Sequence, residues 1–343
     1  MGDLLINREM IRILSTRGEV FINCRSAPAD FIEKILSSSD LNCTPLETRK
    51  SLIFFHLAAM LGFIFKKNKY IFSQNPGGYG GEISKRASFR KNINTHIKTA
   101  LSHLGIEFIA FGVSYDKIGP RHTAALKKQF SVYSNHFVRD ESSFNYCTEN
   151  KIKCDGILPD LAFNLDYHSP LPKSKRLIIL SFRDLGNELL DNLLIESIKR
   201  NIMHITSKYQ AVEISITYQV TFDKAFSEKI LDALSDITDT KAKIIDLTKS
   251  LDENLSFYSK ASFTLSNRLH VVLMSMSTGS KCYALTHPEK NAKLINLLKS
   301  ESLESSLLSI TDNTQLLCLN SEQEFSTIFK TNKETLNRAK VQG

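Results

Sequence analysis

Apolar positions along the chain switch repeatedly between two spacings. Short runs rich in β-branched and aromatic residues predict strands at Glu19–Cys24, Lys69–Ser73, Ile106–Val113, His136–Arg139, Arg176–Phe182, Val212–Tyr218, Lys243–Leu247, Phe263–Ser266, Cys282–Leu285 and Leu316–Leu319. Between them, apolar residues three and four apart predict helices at Leu4–Thr16, Ala29–Leu36, Glu47–Phe65, Phe89–Leu104, Arg121–Tyr133, Glu188–Lys208, Phe222–Leu234, Leu269–Met276 and Glu289–Leu298. This alternation predicts an α/β protein whose parallel sheets carry helices on both faces. No repeat of solenoid length interrupts it. The aperiodic segment Leu165–Lys175 holds two of the eight prolines and precedes a fresh strand. It marks the expected boundary between an N-terminal α/β domain, 1–168, and a C-terminal one, 169–320, with a C-terminal helix over 321–343. In such sheets ligands bind beyond the carboxyl ends of strands, here in a cleft that the two domains face, so strand ends are where chemistry is sought.

One run departs from both spacings. Leu52–Phe65 is almost wholly apolar and flanked by Arg49, Lys50, Lys66, Lys67 and Lys69. It is shorter than the roughly 20 residues that a membrane span needs. Two readings stay open: a buried helix, or a helix lying peripherally in a membrane surface with its lysines on lipid phosphates.

Composition narrows the class. With 343 residues, 42% apolar and 23% charged, the chain is globular, which excludes a disordered or fibrous protein. Lys and Arg number 44 against 36 Asp and Glu, giving +8 and favouring anionic partners. The excess is dispersed and no nucleic-acid-binding signature accompanies it, so a small anion fits better than nucleic acid. The six cysteines include no C-x-x-C pair, and neither a metal nor a cofactor is expected. Scattered thiols and an N-terminus without a secretory pattern give a cytoplasmic expectation, extending to the inner face of the membrane if the apolar helix docks there.

Five strand-end segments can carry chemistry. Pro76-Gly77-Gly78-Tyr79-Gly80-Gly81 reads either as a flexible turn or as a nest of N–H groups for an anion, with Gly77 and Gly78 as its binding positions. Gly112-Val113-Ser114-Tyr115 runs on to Gly119-Pro120; it reads as a structural turn or as a loop that offers Ser114 to a ligand. In Val138-Arg139-Asp140-Glu141-Ser142-Ser143, Asp140 or Ser142 can cap a helix, and Arg139 can bind substrate or pair with a neighbouring carboxylate. Ser266-Asn267-Arg268-Leu269-His270 opens a helix after a strand. There Arg268 offers a planar fork for carboxylate or phosphate, His270 a proton carrier near neutral pH, and the helix start partial positive charge. Arg183 ends another strand of the same expected sheet; it can join Arg268 on one anion, or pair with Asp184 or Glu188 at the surface.

In order, these segments resemble the polysaccharide pyruvyl transferase family. The likeness includes Gly2-Asp3-Leu4-Leu5-Ile6, the glycine-rich run, Gly112–Pro120, Val138–Ser143, Leu158-Pro159-Asp160-Leu161-Ala162-Phe163, Ser181-Phe182-Arg183 and Ser266–His270. The resemblance implies a GT-B-like fold of two Rossmann-like domains. It also implies transfer of a pyruvyl group from phosphoenolpyruvate to a sugar of a surface polysaccharide (capsule or exopolysaccharide), or to its lipid-linked oligosaccharide precursor, as a cyclic ketal. Arg183, Arg268 and His270 would then be catalytic. Asn267, Leu269, Gly77, Gly78, Ser114, Arg139, Lys290 and Asp3 would be substrate-binding, with Asp3 alternatively an N-terminal cap of its helix. A sugar-nucleotide glycosyltransferase of polysaccharide synthesis is the alternative, since one architecture houses both chemistries.

Overall fold

The computed structural model describes residues 1–24, 27–36, 41, 43–48, 50, 57, 61, 69–166, 176–209, 212–235, 242–319 and 325–339. These divide into two compact units. One comprises Met1–Leu5 with Ala162–Glu334, and the other Ile6–Leu161 with Thr335–Gly343. The sequence boundary was expected at 168/169; the units change over at 161/162, inside the 3-10 turn Leu161–Asn164.

In the unit centred on residues 6–161, β3 (Ile71–Gln74), β5 (Glu107–Ile118), β6 (Asn135–Val138) and β7 (Gly156–Ile157) form a parallel sheet in that order. β4 (Gly77–Gly81) also pairs with β5, in the register Gly77↔Val113 to Gly80↔Asp116. A separate parallel pair joins β1 (Val20–Asn23) to β2 (Cys43–Leu46). Three helices follow strands of the sheet: α3 (Lys85–His103), α4 (Pro120–Phe130) and α5 (Glu141–Glu149). Their starts are set locally. Ser84 Oγ accepts the Ala87 N–H at 3.2 Å, and Asp140 Oδ1 accepts the Ser143 N–H at 2.8 Å. The Glu82 carboxylate accepts the N–H groups of Arg121 and His122, beside Pro120 at the first turn of α4. Phe108, Val113, Leu126, Phe130 and Val138 centre the core. Gly112 needs to be glycine twice over: its φ is +70°, and a Cβ would lie 2.9 Å from Leu161 Cδ1.

α3 is built inside out. Phe89, Ile93 and Ile97, one turn apart, are 65%, 45% and 53% exposed, whereas Lys91, Thr95 and Lys98 turn inward. Most of Leu52–Phe65 lies outside the described residues. Its two described positions, Leu57 and Leu61, are helical and about half exposed.

The unit centred on residues 162–334 is a six-stranded parallel sheet, β10-β9-β8-β11-β12-β13. Its strands are β8 (Arg176–Ser181), β9 (Val212–Tyr218), β10 (Ala242–Asp246), β11 (Ala261–Ser266), β12 (Lys281–Thr286) and β13 (Leu307–Ser309). The chain builds outward from β8 to β10, returns to β8's other side as β11, and continues to β13. Strand order therefore reverses between β8 and β11, the crevice where open α/β sheets bind ligands. α6 (Glu188–Lys208) and α7 (Lys224–Ser235) supply Leu194, Ile198, Ile202, Phe226 and Ile230 to the core. α9 (Leu269–Ser277) is buried throughout Val271–Ser277, which fixes its first turn firmly; each such apolar side chain contributes roughly 1.5–3 kcal/mol. The remaining helices are α1 (Gly2–Ser15), α2 (Ala29–Leu36), α8 (Leu251–Tyr258), α10 (Ala292–Ser300) and α11 (Phe325–Ala339).

Two expected elements change. Leu316–Leu319 is not a strand. Leu317 and Leu319 are buried, but side chains take the backbone bonds: Asn201 Oδ1 accepts the Leu317 N–H at 3.0 Å, and Lys281 and Tyr283 donate to Leu319 O and Cys318 O. The sixth strand is β13 instead. The glycine run, expected as a loop, is β4, because the long β5 extends past β3 and leaves an edge for it.

Candidate active site

Three strand ends meet at the reversal. Arg183 follows β8, Arg268 follows β11 and His287 follows β12. Asn267 ties the first two: its Oδ1 accepts the Arg183 N–H at 3.0 Å and its Nδ2 donates to Arg183 O at 2.8 Å. Ser266 Oγ donates to Ser181 O at 2.6 Å and accepts the Arg268 N–H at 3.0 Å. Asn291 joins the third, accepting the His287 N–H at 2.9 Å and donating to Asn267 O at 3.3 Å. The backbone carrying both arginines is thus fixed by buried, satisfied amides.

Arg268 Nη2 donates to Asp223 Oδ2. Asp223 is buried in the 3-10 turn after β9. Burial raises its pKa above the ordinary carboxylate value, opposed by Arg268 and then by Arg183. Both guanidiniums therefore act on one carboxylate, and Arg183 itself is exposed. Asp223 had no signal in the sequence: it lies 45 residues from Arg268 and belongs to no motif. His287 was also missed, although it is the first residue beyond β12.

The start of α9, with Arg268 at the N-cap position, carries no side-chain cap, so no hydroxyl or carboxylate of the capping residue takes the N–H groups of its first turn. The imidazole of His270 abuts the start of α1. A Cβ on Gly2 would lie 2.1 Å from His270 Nδ1. The Gly2-Asp3 and Arg268-Leu269-His270 motifs, far apart in sequence, are therefore in contact, and glycine is what lets them meet. Asp3, next to Gly2, is exposed. Lys290 is exposed in the turn after β12, and Leu269 is half-buried.

The other expected site residues lie in the other unit. Gly77 and Gly78 are in β4, with Gly78 exposed. Arg139 and Ser114 are buried and bonded to each other: Arg139 Nη1 donates to Asp160 Oδ2 at 2.7 Å and Nη2 to Ser114 Oγ at 3.0 Å. A carboxylate partner for Arg139 was one of the two sequence readings, and it is the one the geometry displays.

Among the described residues, one group brings metal-type ligands together: atoms of His136, Cys147 and Cys154 lie within 4.8 Å of one another. His136 Nδ1 is bonded to Lys153 O at 2.5 Å and Nε2 to Tyr115 Oη at 2.9 Å, while its ring stacks on Phe130 at 3.8 Å. Both imidazole nitrogens are engaged, so the group reads as a polar network in the core. A hydrogen bond between the two thiols pulls Cys154 down and pushes Cys147 up.

Two parallel α/β units, one with basic residues at its strand reversal, are the parts of a GT-B-like fold. The chain matches the polysaccharide pyruvyl transferase family over residues 1–288 and belongs to it. No curated protein sequence matches it. Among solved structures, UDP-GlcNAc 2-epimerase from Methanocaldococcus jannaschii is similar over 98% of this chain and 94% of its own, at 13% identity and a TM-score of 0.53. A putative UDP-N-acetylglucosamine 2-epimerase from Listeria monocytogenes (12% identity, 99% of this chain and 88% of that one) and Phytolacca americana UGT2 (12%, 99% and 92%) each have a TM-score of 0.48. At 13% identity the likeness to the Methanocaldococcus jannaschii enzyme concerns the fold alone. No helix among the described residues is long and apolar enough to cross a membrane.

Proposed function

We propose that this chain moves a pyruvyl group from phosphoenolpyruvate to a sugar of a surface polysaccharide or its lipid-linked precursor, closing a cyclic ketal. Family membership sets the reaction class. The observation that supports the donor is the pair Arg183 and Arg268, held by Asn267 at the strand reversal beside the uncapped start of α9.

Phosphoenolpyruvate carries a carboxylate and a phosphate, and two guanidiniums with a helix N-terminus match that charge. Asp223 orients Arg268. His270 delivers a proton to the methylene carbon, and positive charge develops on the central carbon. One sugar hydroxyl adds there, losing its proton to a base for which Asp3 is the candidate. The bond to the phosphate oxygen then breaks, the phosphate leaves against Arg183 and Arg268, and a second hydroxyl of the same sugar adds and loses its proton. The central carbon ends with two sugar oxygens, a methyl and a carboxylate. Positioned proton delivery contributes typically ~10²–10⁴-fold, and electrostatic stabilisation of the departing anion a comparable factor.

The test is incubation with phosphoenolpyruvate and a panel of glycosides, reading inorganic phosphate and the mass of one added pyruvyl ketal. Arg268→Ala and His270→Ala should abolish both while circular dichroism is unchanged. Near-normal turnover in the two variants would overturn the site. Thermal stabilisation by UDP but not by phosphoenolpyruvate would instead indicate sugar-nucleotide chemistry.

A further inference from the structure

The inward face of α3 lines a second polar site, in the unit that lacks Arg183 and Arg268. Lys91, Asn94, Thr95 and Lys98 of α3 face Gln74, the last residue of β3, with Tyr79 and Gln129, around a pocket of ≈ 250 Å³. We propose that this pocket binds a phosphorylated monosaccharide, with the phosphate on Lys91 and Lys98 and the sugar hydroxyls on Asn94, Thr95 and Gln129.

The charge argument comes first. No acidic residue lines the pocket, and among the described residues neither lysine pairs with a carboxylate. Lys98 Nζ donates to Tyr133 Oη at 2.6 Å and lies over the Tyr133 ring at 4.8 Å. Lys91 Nζ lies 3.1 Å from His122 Nε2. His122 Nδ1 lies 3.1 Å from Gly81 O, so a neutral His122 protonated at Nδ1 accepts from Lys91. Each ammonium thus spends one of its three N–H groups on the protein. Burial lowers the pKa of both lysines, Lys98 to about 8, and the proximity of Lys91 adds to its shift. Two like charges turned into a partly desolvated site without a counter-ion are a disposition that a bound dianion relieves.

The remaining groups select what the anion is attached to. Gln74 is occupied: its Oε1 accepts from Tyr133 at 2.9 Å and its Nε2 donates to Tyr79 at 2.7 Å. Gln129 Nε2 joins this chain, donating to Gln74 Oε1 at 3.4 Å and to Tyr133 Oη at 3.5 Å, so the Asn94 amide and Gln129 Oε1 are left for hydroxyls. The volume lies below the ~300–1,000 Å³ of sites for drug-sized ligands, a size that suits one sugar ring with its phosphate. Gln74 at a strand's carboxyl end puts the pocket where α/β sheets bind ligands. Assigning the ligand as the acceptor sugar rests on the pyruvyl-transfer reading, but binding itself does not.

Isothermal titration calorimetry with glucose 1-phosphate, glucose and inorganic phosphate tests it. Glucose 1-phosphate should bind saturably and at least tenfold more tightly than either component. Lys98→Gln and Lys91→Gln should each weaken it tenfold or more, Lys98→Arg and Lys91→Arg should restore most of the loss, and Arg268→Ala should leave it within twofold. Absence of saturable binding, or wild-type affinity in both glutamine variants, overturns the proposal. Phosphate binding as tightly as the ester removes the sugar, and glucose binding as tightly removes the anion. Loss on Arg268→Ala moves the ligand to the other site. Lys98 is also bonded to Tyr133 in the core, whereas Lys91 bonds to His122, so the Lys91 variants remain informative if the Lys98 variants fail to fold.

Discussion

Replacing Arg139 with methionine separates a structural arginine from a substrate-binding one. Arg139 is 7% exposed and Asp160 0%, their N–O distance is 2.7 Å, and the second guanidinium nitrogen serves Ser114. Methionine fills much of the same volume, so the cavity term is small. What remains is a buried carboxylate that has lost the Arg139 guanidinium, and removing one partner of a buried ion pair costs up to about 3–5 kcal/mol. At about 2–4 °C per kcal/mol for a unit of this size, the transition should fall by roughly 6–20 °C. The two units need not unfold together, so the relevant signal is the transition of the unit holding residues 6–161. Urea unfolding followed by tyrosine fluorescence and scanning calorimetry measures it. The double variant Arg139→Met/Asp160→Leu should be more stable than Arg139→Met alone, because the buried charge that lost Arg139 is gone. A single variant that unfolds at the wild-type midpoint yet raises the KM for a substrate would refute this account and restore Arg139 to ligand binding.

Further outcomes follow from other contacts. Gly2→Ala must displace either the His270 ring or the first turn of α1, and overpacking of this kind costs typically ~1–3 kcal/mol; an unchanged imidazole NMR signal together with an unchanged unfolding midpoint would contradict the contact. Lys98 titrates near 8 in the folded chain against about 10.4 unfolded, so between those values the unfolded state holds the extra proton and stability rises with pH. Lys98→Met should flatten that rise between pH 8 and 10, and equal slopes in urea midpoints would refute it. The outward stripe of Phe89, Ile93 and Ile97 sits among Lys85, Arg86 and Arg90, and α3 contains no acidic residue. The protein should therefore float with vesicles containing anionic phosphatidylglycerol more than with neutral ones, and Ile93→Asp should reduce this; flotation indifferent to both changes would count against membrane contact.

Much of the fold could be read from spacing alone. Val212–Tyr218 and Glu188–Lys208 fall where periodicity put them, because the strand is a β-rich run in a parallel sheet and the helix has its own cap, Asn187 Oδ1 accepting the Leu190 N–H. β4 escaped notice because glycines carry no strand preference; its pairing is imposed by the length of β5. In the site, Arg183 and Arg268 were legible because strand ends were. Asp223 was not, since only the sheet order brings the turn after β9 to Arg268. The lysine pocket was hidden for a further reason: α3 reverses the usual rule that a helix turns its apolar stripe inward.

The paired bonds from Asn267 mean that residues 183 and 268 cannot shift independently on the main chain. The spacing of these two backbone positions is settled when the protein folds, so on the pyruvyl-transfer reading that part of the ordering entropy is not charged against donor affinity. On that reading, ligands whose two anionic groups match this interval are favoured over equally charged ones that do not, which would make a single neutral amide a ruler for selectivity.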